Sequence, residues 1–417
     1  MEPLPVTDGP PTRNAAFRLL WIGTGLSALG SFVGGLALAF LAVRRLDAGP
    51  RDLAALATFQ IVAGLVAAPF AGVLVDRFRR RPLLIAADIT RALVLASLPV
   101  IDRAGWLSFG ALWFVGAVNA AASVLFNSAY QAYTVRLVGR SQIVRANSLV
   151  SATVSGAEIL GFAVAGWVVE WLGEVNTQWV DATSFVASAL CLASIRRPGV
   201  DTAPQRGRPL VAGRPSLVGP RVVWRNPVLR SVVATNALFD TAVTMTGVSY
   251  LLYLTGDLGY RPGTLGTIFA IGGITSLIGA RIADRAEHHH RLGRVLAVSG
   301  FVRTAGMAFM PGAFDTSRTS TALLVGNQVV TDPAWMLHGI AETSIRQAHT
   351  PDEVAGRVAS TRHFFGSIGR LVGAGLAAII GQQFGPRAVL WTAVGICFMA
   401  SFGLATSAAA RLSAAGG

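Results

Sequence analysis

The 417-residue chain has no lysine and only two cysteines, and its charged residues amount to 13%, about half the share of an ordinary soluble domain. So little charge cannot cover a water-facing surface. Cys191 and Cys397 both fall inside apolar runs, which excludes a disulfide framework and predicts buried free thiols. Segments of about ten residues with alternating polarity are missing too, which excludes a membrane β-barrel. A Walker-type phosphate loop, an H-E-x-x-H metal pair and a G-x-S-x-G nucleophile turn are absent, and no stretch outside the apolar runs is long enough for a catalytic domain. The sequence therefore predicts a protein that is not an enzyme and uses no cofactor or metal; His288, His289 and His290 read as a solvated loop.

Apolarity is what the chain has in abundance. Hydrophobic residues make up 53% and the mean hydropathy is +0.55. Runs of 18 or more apolar residues recur along its length, each long enough for a membrane-crossing helix, the element that satisfies its own backbone in lipid. The first run, near Phe17, is followed by many others and so reads as a spanning helix rather than a cleaved secretion signal. Turns and charges mark twelve spans, near 17–43, 52–75, 82–101, 107–133, 146–171, 178–195, 229–254, 263–283, 293–311, 320–345, 358–383 and 387–408.

The net charge of +14 comes entirely from 35 arginines against 21 acids. In a soluble protein that balance would point to nucleic acid; here it points to loops. With the N-terminus inside, 25 arginines fall in cytoplasmic segments and 7 in outer ones, while Arg91, Arg303 and Arg370 lie within spans. Only this orientation obeys the positive-inside rule, and it puts both termini in the cytoplasm. Trp106, Trp167, Trp171, Trp179 and Trp391 near proposed outer ends fit the same frame.

One long polar stretch rich in Pro, Gly and Arg, 196–228, divides the chain into six spans over 1–195 and six over 229–417, and reads as a cytoplasmic linker. The halves echo each other. "DRFRRR" at Asp76 returns as "DRAEHHHRLGR" at Asp284, and "LVGRSQIVRANSL" around Arg145 returns as "HTPDEVAGRVAST" around Arg357, at nearly one period. Such a repeat indicates a duplicated six-helix unit, an arrangement common in secondary transporters.

These motifs resemble the major facilitator superfamily, whose loop between helices 2 and 3 carries G-x-x-x-D-R-x-G-R-R. Gly72, Asp76, Arg77, Arg80 and Arg81 match, with Arg79 at the glycine position. "DRFRRRPLLIAADITRAL", "LVGRSQIVRANSL" and "TPDEVAGRV" are similar to the branch of drug, siderophore and secondary-metabolite exporters. The resemblance implies an all-α integral membrane fold of twelve helices in two pseudo-symmetric six-helix bundles that rock about a central cavity. It also implies solute transport, usually coupled to protons. Antiporters of the family often carry G-P-x-x-G-G in helix 5; here Phe162 replaces the proline and Ala165 the first glycine of the last pair.

The charged positions acquire roles on that frame. Asp76 is expected to accept hydrogen bonds from Arg77 or Arg91 and so form a latch with the loop arginines. Asp88 and Arg91, at i and i+3, either pair with each other or join that cluster, and Asp284 with Arg285 serve the second half. Ionisable groups at mid-membrane depth demand a reason. Asn236, Asp240 and Thr244 form one stripe; Gln328, Asp332, Trp335, Gly339 and Glu342 form a second, and Asn119, Ser123 and Asn127 a third. In the resembled fold these helices line the cavity. Glu158 and Arg370 lie near the midplane on helices 5 and 11, with Arg370 placed to neutralise Asp240 or Asp332. Arg303 and His338 read as packing groups.

The function expected is secondary active export of a small organic molecule by proton antiport in a multi-pass protein of the cytoplasmic membrane, with multidrug efflux and antibiotic resistance as its setting. Uptake by symport or facilitated passage is the alternative, and a non-transporting receptor or scaffold a more distant one. The partners expected are a small-molecule substrate, protons and the bilayer, without nucleic acid, and the protein is expected to be monomeric. An arginine-only, alanine-rich composition points to a high-GC genome.

Overall fold

A computed structural model describes residues 11–139, 141–195, 218–288 and 292–410. They are helical almost throughout, with no strand among the described residues. The helices are α1 (Ala15–Phe40), α2 (Pro50–Arg77), α3 (Arg80–Arg103), α4 (Phe109–Val138), α5 (Ile143–Leu172), α6 (Gln178–Ala193), α7 (Val218–Arg225), α8 (Pro227–Leu252), α9 (Pro262–His288), α10 (Leu292–Met307), α11 (Arg318–Ala348) and α12 (Ala355–Ala405). Gly385, at φ +80° and followed by Pro386, breaks α12 into two arms, which recover the spans expected at 358–383 and 387–408. With α12 counted as two and the short α7 set aside, all twelve expected spans are helices.

Eight of the helices are long and apolar enough to cross a membrane by that measure alone, α12 among them. The other three crossings are weaker for visible reasons: α6 and α10 have 16 residues each, and α11 carries Gln328, Asp332, His338 and Glu342. Residues up to 217 of the expected linker lie outside the described residues. Its last part is α7, whose Val223 packs with Leu229, Val233 and Val358 and so makes a helix of a segment the sequence assigns to the linker.

Compact packing divides the chain into two units, residues 1–46 with 59–213, and 47–58 with 214–417. In the first, α1 packs on α5 and α6, and α3 on α4 and α6. In the second, α8 packs on α12, α9 on α11, and α10 on α11 and α12.

The repeat is legible at the level of helix ends. Asn14 caps α1 by accepting from the amides of Ala16 and Phe17, and Asn226, 212 residues on, caps α8 by accepting from Val228 and Leu229. Both capped helices finish in a five-residue π turn, Leu41–Arg45 and Tyr253–Asp257, again 212 residues apart. In lipid, helices associate through close packing and interhelical hydrogen bonds rather than hydrophobic burial, so small residues gather where axes approach. On α12, Gly369 and Gly373 abut the backbone carbonyls of Ala237 and Thr241 on α8, and Thr241 Oγ1 donates to Gly369 O at 3.0 Å.

Candidate functional site

The end of α2, where the chain turns into α3, is largely exposed: Gly72, Asp76 and Arg77 all face outward, and Asp76 forms no ion pair among the described residues. Arg81 turns the other way. Its Nε donates to Leu192 O at 2.8 Å and its Nη2 to Ala193 O, which satisfies carbonyls left over at the C-terminus of α6. Arg80, half-buried, has a partner of its own. Asp284 and Arg285 are on α9, but their side chains lie outside the described residues, as do His289 and His290.

Asp88 and Arg91 do not join that turn. They point from α3 into the first unit, where Asp88 is 0% exposed and Arg91 Nη1 lies 3.9 Å from its Oδ1. Of the two arrangements open to this pair in the sequence, the structure has the mutual one, and Arg91 is turned away from Asp76. The guanidinium is also 3.7 Å from the centre of the Phe185 ring, with Nε donating to Asn119 Oδ1 at 3.4 Å and Nη2 to Ser31 Oγ at 3.3 Å. Asn119 thus belongs to an arginine site. Ser123 spends its hydroxyl on the Asn119 carbonyl, and Asn127 is exposed.

Sequence reasoning missed Asp181 on α6. It is 3% exposed, within electrostatic reach of Arg91, and Ser184 Oγ is 3.4 Å from its Oδ1. A stripe of Gln178, Asp181, Ser184 and Ser188 at helical spacing was the available signal, in a run where Asp181 reads as an end-of-helix charge.

In the second unit, Asn236 is buried and Asp240 is packed against Gly366 of α12, with its Oδ2 buried and without a hydrogen bond. Thr244 bonds back to the Asp240 carbonyl. Gln328 accepts from Asn327 at 2.8 Å, and Asp332 and Gln328 together face Gly272 of α9. Glu342 is buried and takes Arg346 Nε at 3.1 Å. Arg370 does not neutralise either aspartate: its Nη2 donates to Ser367 Oγ at 2.8 Å, since Asp240 is turned onto Gly366 and Asp332 onto α9. Glu158 is exposed on α5 and forms no ion pair among the described residues.

Arg303 is buried at 3% exposure, its guanidinium 3.7 Å from the centre of Phe239 and 4.6 Å from that of Trp335, with Nη2 3.8 Å from Cys397 Sγ. His338 meets the Phe239 ring edge-on at 4.9 Å and shares a hydrogen bond with Ser299. Trp335 is therefore half of an arginine clamp as well as a member of the α11 stripe. The two cysteines are free.

Many membrane-crossing helices, a duplicated unit and ionisable groups buried in both units define a multi-pass membrane transporter. The sequence profile of the Major Facilitator Superfamily matches residues 20–341, and the chain belongs to that superfamily. Transport rather than enzymatic chemistry is the work of this family. The chain is 28% identical over 337 residues to an uncharacterised MFS-type transporter, y4rN, of Sinorhizobium fredii, covering 77% of each chain. It is 29% identical over 317 residues to the multidrug efflux pump Tap of Mycobacterium tuberculosis strain H37Rv, covering 72% of each. Among solved structures, the nucleoside transporter NupG superposes with a TM-score of 0.73 at 14% identity, over 93% of this chain and 98% of that one. A bacterial homologue of the iron transporter ferroportin in an inward-facing state gives 0.69 at 15%, over 93% and 97%. These two likenesses establish the fold.

Proposed function

We propose that the protein is a secondary active exporter of small organic molecules, exchanging them for protons by alternating access in the cytoplasmic membrane, with both termini in the cytoplasm. The observation that carries this reading is the similarity, over 72% of the chain, to a protein named a multidrug efflux pump. Buried ionisable groups support coupling to an ion, because a carboxylate at membrane depth is costly unless it is used or paired. Asp240 has that character: one of its oxygens is buried without a hydrogen bond. In this proposal Asn236, Asp240, Gln328 and Asp332 face the transported molecule, and the segment from Gly72 to Arg81 gates one side. The arginine excess in segments assigned to the cytoplasm supports the orientation. Uptake by symport or facilitated passage is the second reading, which the same fold permits.

The test uses everted membrane vesicles with an acidified lumen, challenged with ethidium and a panel of antibiotics and siderophores. Export predicts proton release from the lumen on addition of a transported compound, and loss of that release in Asp240→Asn or Asp332→Asn protein that still inserts. Silence across the panel, with uptake into right-side-out vesicles, would overturn export.

A further inference from the structure

The first unit contains a charge imbalance of its own, apart from the α8 and α11 stripes. Asp88, Arg91 and Asp181 supply two carboxylates and one guanidinium in a region with almost no exposed surface. On α6 the residues facing this region, Asp181 and Ser188, are seven apart, about 10 Å along the helix axis. Ser188 approaches Asp88, and Arg91 is three residues beyond Asp88 on α3. The result is a ladder through the middle of the unit: carboxylate, guanidinium, carboxylate.

Several polar atoms in the ladder lack a hydrogen bond. Both oxygens of Asp88 and the hydroxyl of Ser188 are buried without a hydrogen bond of normal geometry. Gln178, one turn from Asp181, donates its Nε2 to Gly34 O at 3.2 Å, while its Oε1 is buried with no donor. Asp181 itself is wedged into α1, where a Cβ at Gly34 would overlap its carboxylate and one at Gly30 would overlap Ser184. Arg91 balances one carboxylate. It cannot balance two, and no other arginine or histidine pairs with these acids among the described residues.

We propose that this ladder is a proton-carrying site, with Asp88 held as the partner of Arg91 and a single proton residing on Asp181. The proton is taken from water as an O–H bond on the Asp181 carboxyl, which leaves the site neutral, and it is returned to water when the site rearranges, which leaves one net negative charge that water must then solvate. Arg91 is the switch, since its guanidinium is positioned to pair with one acid at a time and the other then requires the proton. The proposal rests on proton exchange as the driving reaction, and it adds a proton-carrying group in the first unit to those on the α8 and α11 stripes.

The experiment reads protonation directly. Purified full-length protein in liposomes is titrated with pH by infrared difference spectroscopy, following the C=O stretch of a protonated carboxyl group. Wild type is expected to show a band that persists at pH values where exposed carboxyls are ionised. Asp181→Asn is expected to lose it, and Arg91→Gln to retain it to higher pH because both acids then lack their cation. Asp88→Asn provides a second reading if Asp181→Asn does not insert: with one acid left to pair with Arg91, the band is again lost. In parallel, ethidium accumulation driven by an imposed pH gradient is expected to disappear in Asp181→Asn while downhill ethidium exchange remains. A band absent from wild type, or unchanged in both Asp variants, overturns the proposal. If wild type moves no ethidium under any gradient, exporter function fails for that probe, and the infrared titration decides the site independently.

Discussion

Arg91 and Arg303 lie 212 residues apart, and each holds its guanidinium 3.7 Å from the centre of a phenylalanine ring, Phe185 for the first and Phe239 for the second. The two arginines stand at equivalent places in the 212-residue repeat, and their surroundings differ. Arg91 has Asp88 at 3.9 Å and Asp181 in reach; Arg303 has Trp335 and the Cys397 thiol. Removal should therefore cost different amounts. Arg91→Met leaves two buried acids with no cation and is expected to destabilise by about 3–5 kcal/mol. Arg303→Met forfeits ring contacts of about 2 kcal/mol but also relieves the burial of a charge, so its net cost should be smaller. Thermal unfolding of the purified variants in detergent checks the order; equal losses, or a larger one for Arg303, would contradict it.

Gly34 and Gly35 are neighbours on α1 with opposite surroundings. A Cβ at Gly34 would overlap the Asp181 carboxylate, whereas one at Gly35 meets nothing within 4 Å. Gly34→Ala is expected to lose about 1–3 kcal/mol through overpacking of α1 on α6, and Gly35→Ala to gain up to about 1 kcal/mol from helix propensity. Since Asp181 must move to admit the methyl group, the pH dependence of transport should shift in Gly34→Ala alone. A shared phenotype would mean that the α1–α6 contact is not as described.

Apolar run length made the twelve crossings readable, because a membrane-spanning segment has to be apolar over a fixed distance whatever its neighbours are. Asp88 and Arg91 were legible as an i, i+3 pair for the same local reason. Asp181 was not. It falls three residues after the start of α6, where a charge is unremarkable, and only the bare backbone of α1 at Gly30 and Gly34 turns that position inward. The absence of a pair between Arg370 and Asp240 was equally invisible, since it depends on Gly366 making room for the carboxylate on α12. Stripe membership fixes a face of a helix; what covers that face is set by residues far along the chain.

Arg81, in the first turn of α3, has a structural duty beyond topology. Its two donors take up Leu192 O and Ala193 O, at the end of α6 where the helix dipole favours a cation. Arg81→Gln is expected to fray that last turn by about 1 kcal/mol, seen as faster amide hydrogen exchange over 189–195, with Arg81→Lys intermediate because it keeps the charge and loses the fork. Arg77, exposed and farther from α6 in sequence, should leave exchange there unchanged when replaced by Gln.

The turn before α11 has an acid-sensitive cap. Ser317 caps the helix through the Ser320 amide at 3.3 Å. Asp315 accepts from the Ser317 amide at 3.0 Å and from Ser320 Oγ at 2.7 Å. Hydrogen bonds from Ser317 and Ser320 hold the Asp315 carboxyl below its ordinary range. Because the folded value is the lower one, the cap contributes in full above the ordinary carboxylate value near 4, and its contribution is lost as pH falls through the folded value. Amide exchange over 314–321, corrected for intrinsic rate, should therefore accelerate on acidification below about pH 4. In Asp315→Asn the same segment should exchange faster at neutral pH and show no such acid limb. Equal acid limbs in the two proteins would place the titrating group elsewhere in the turn.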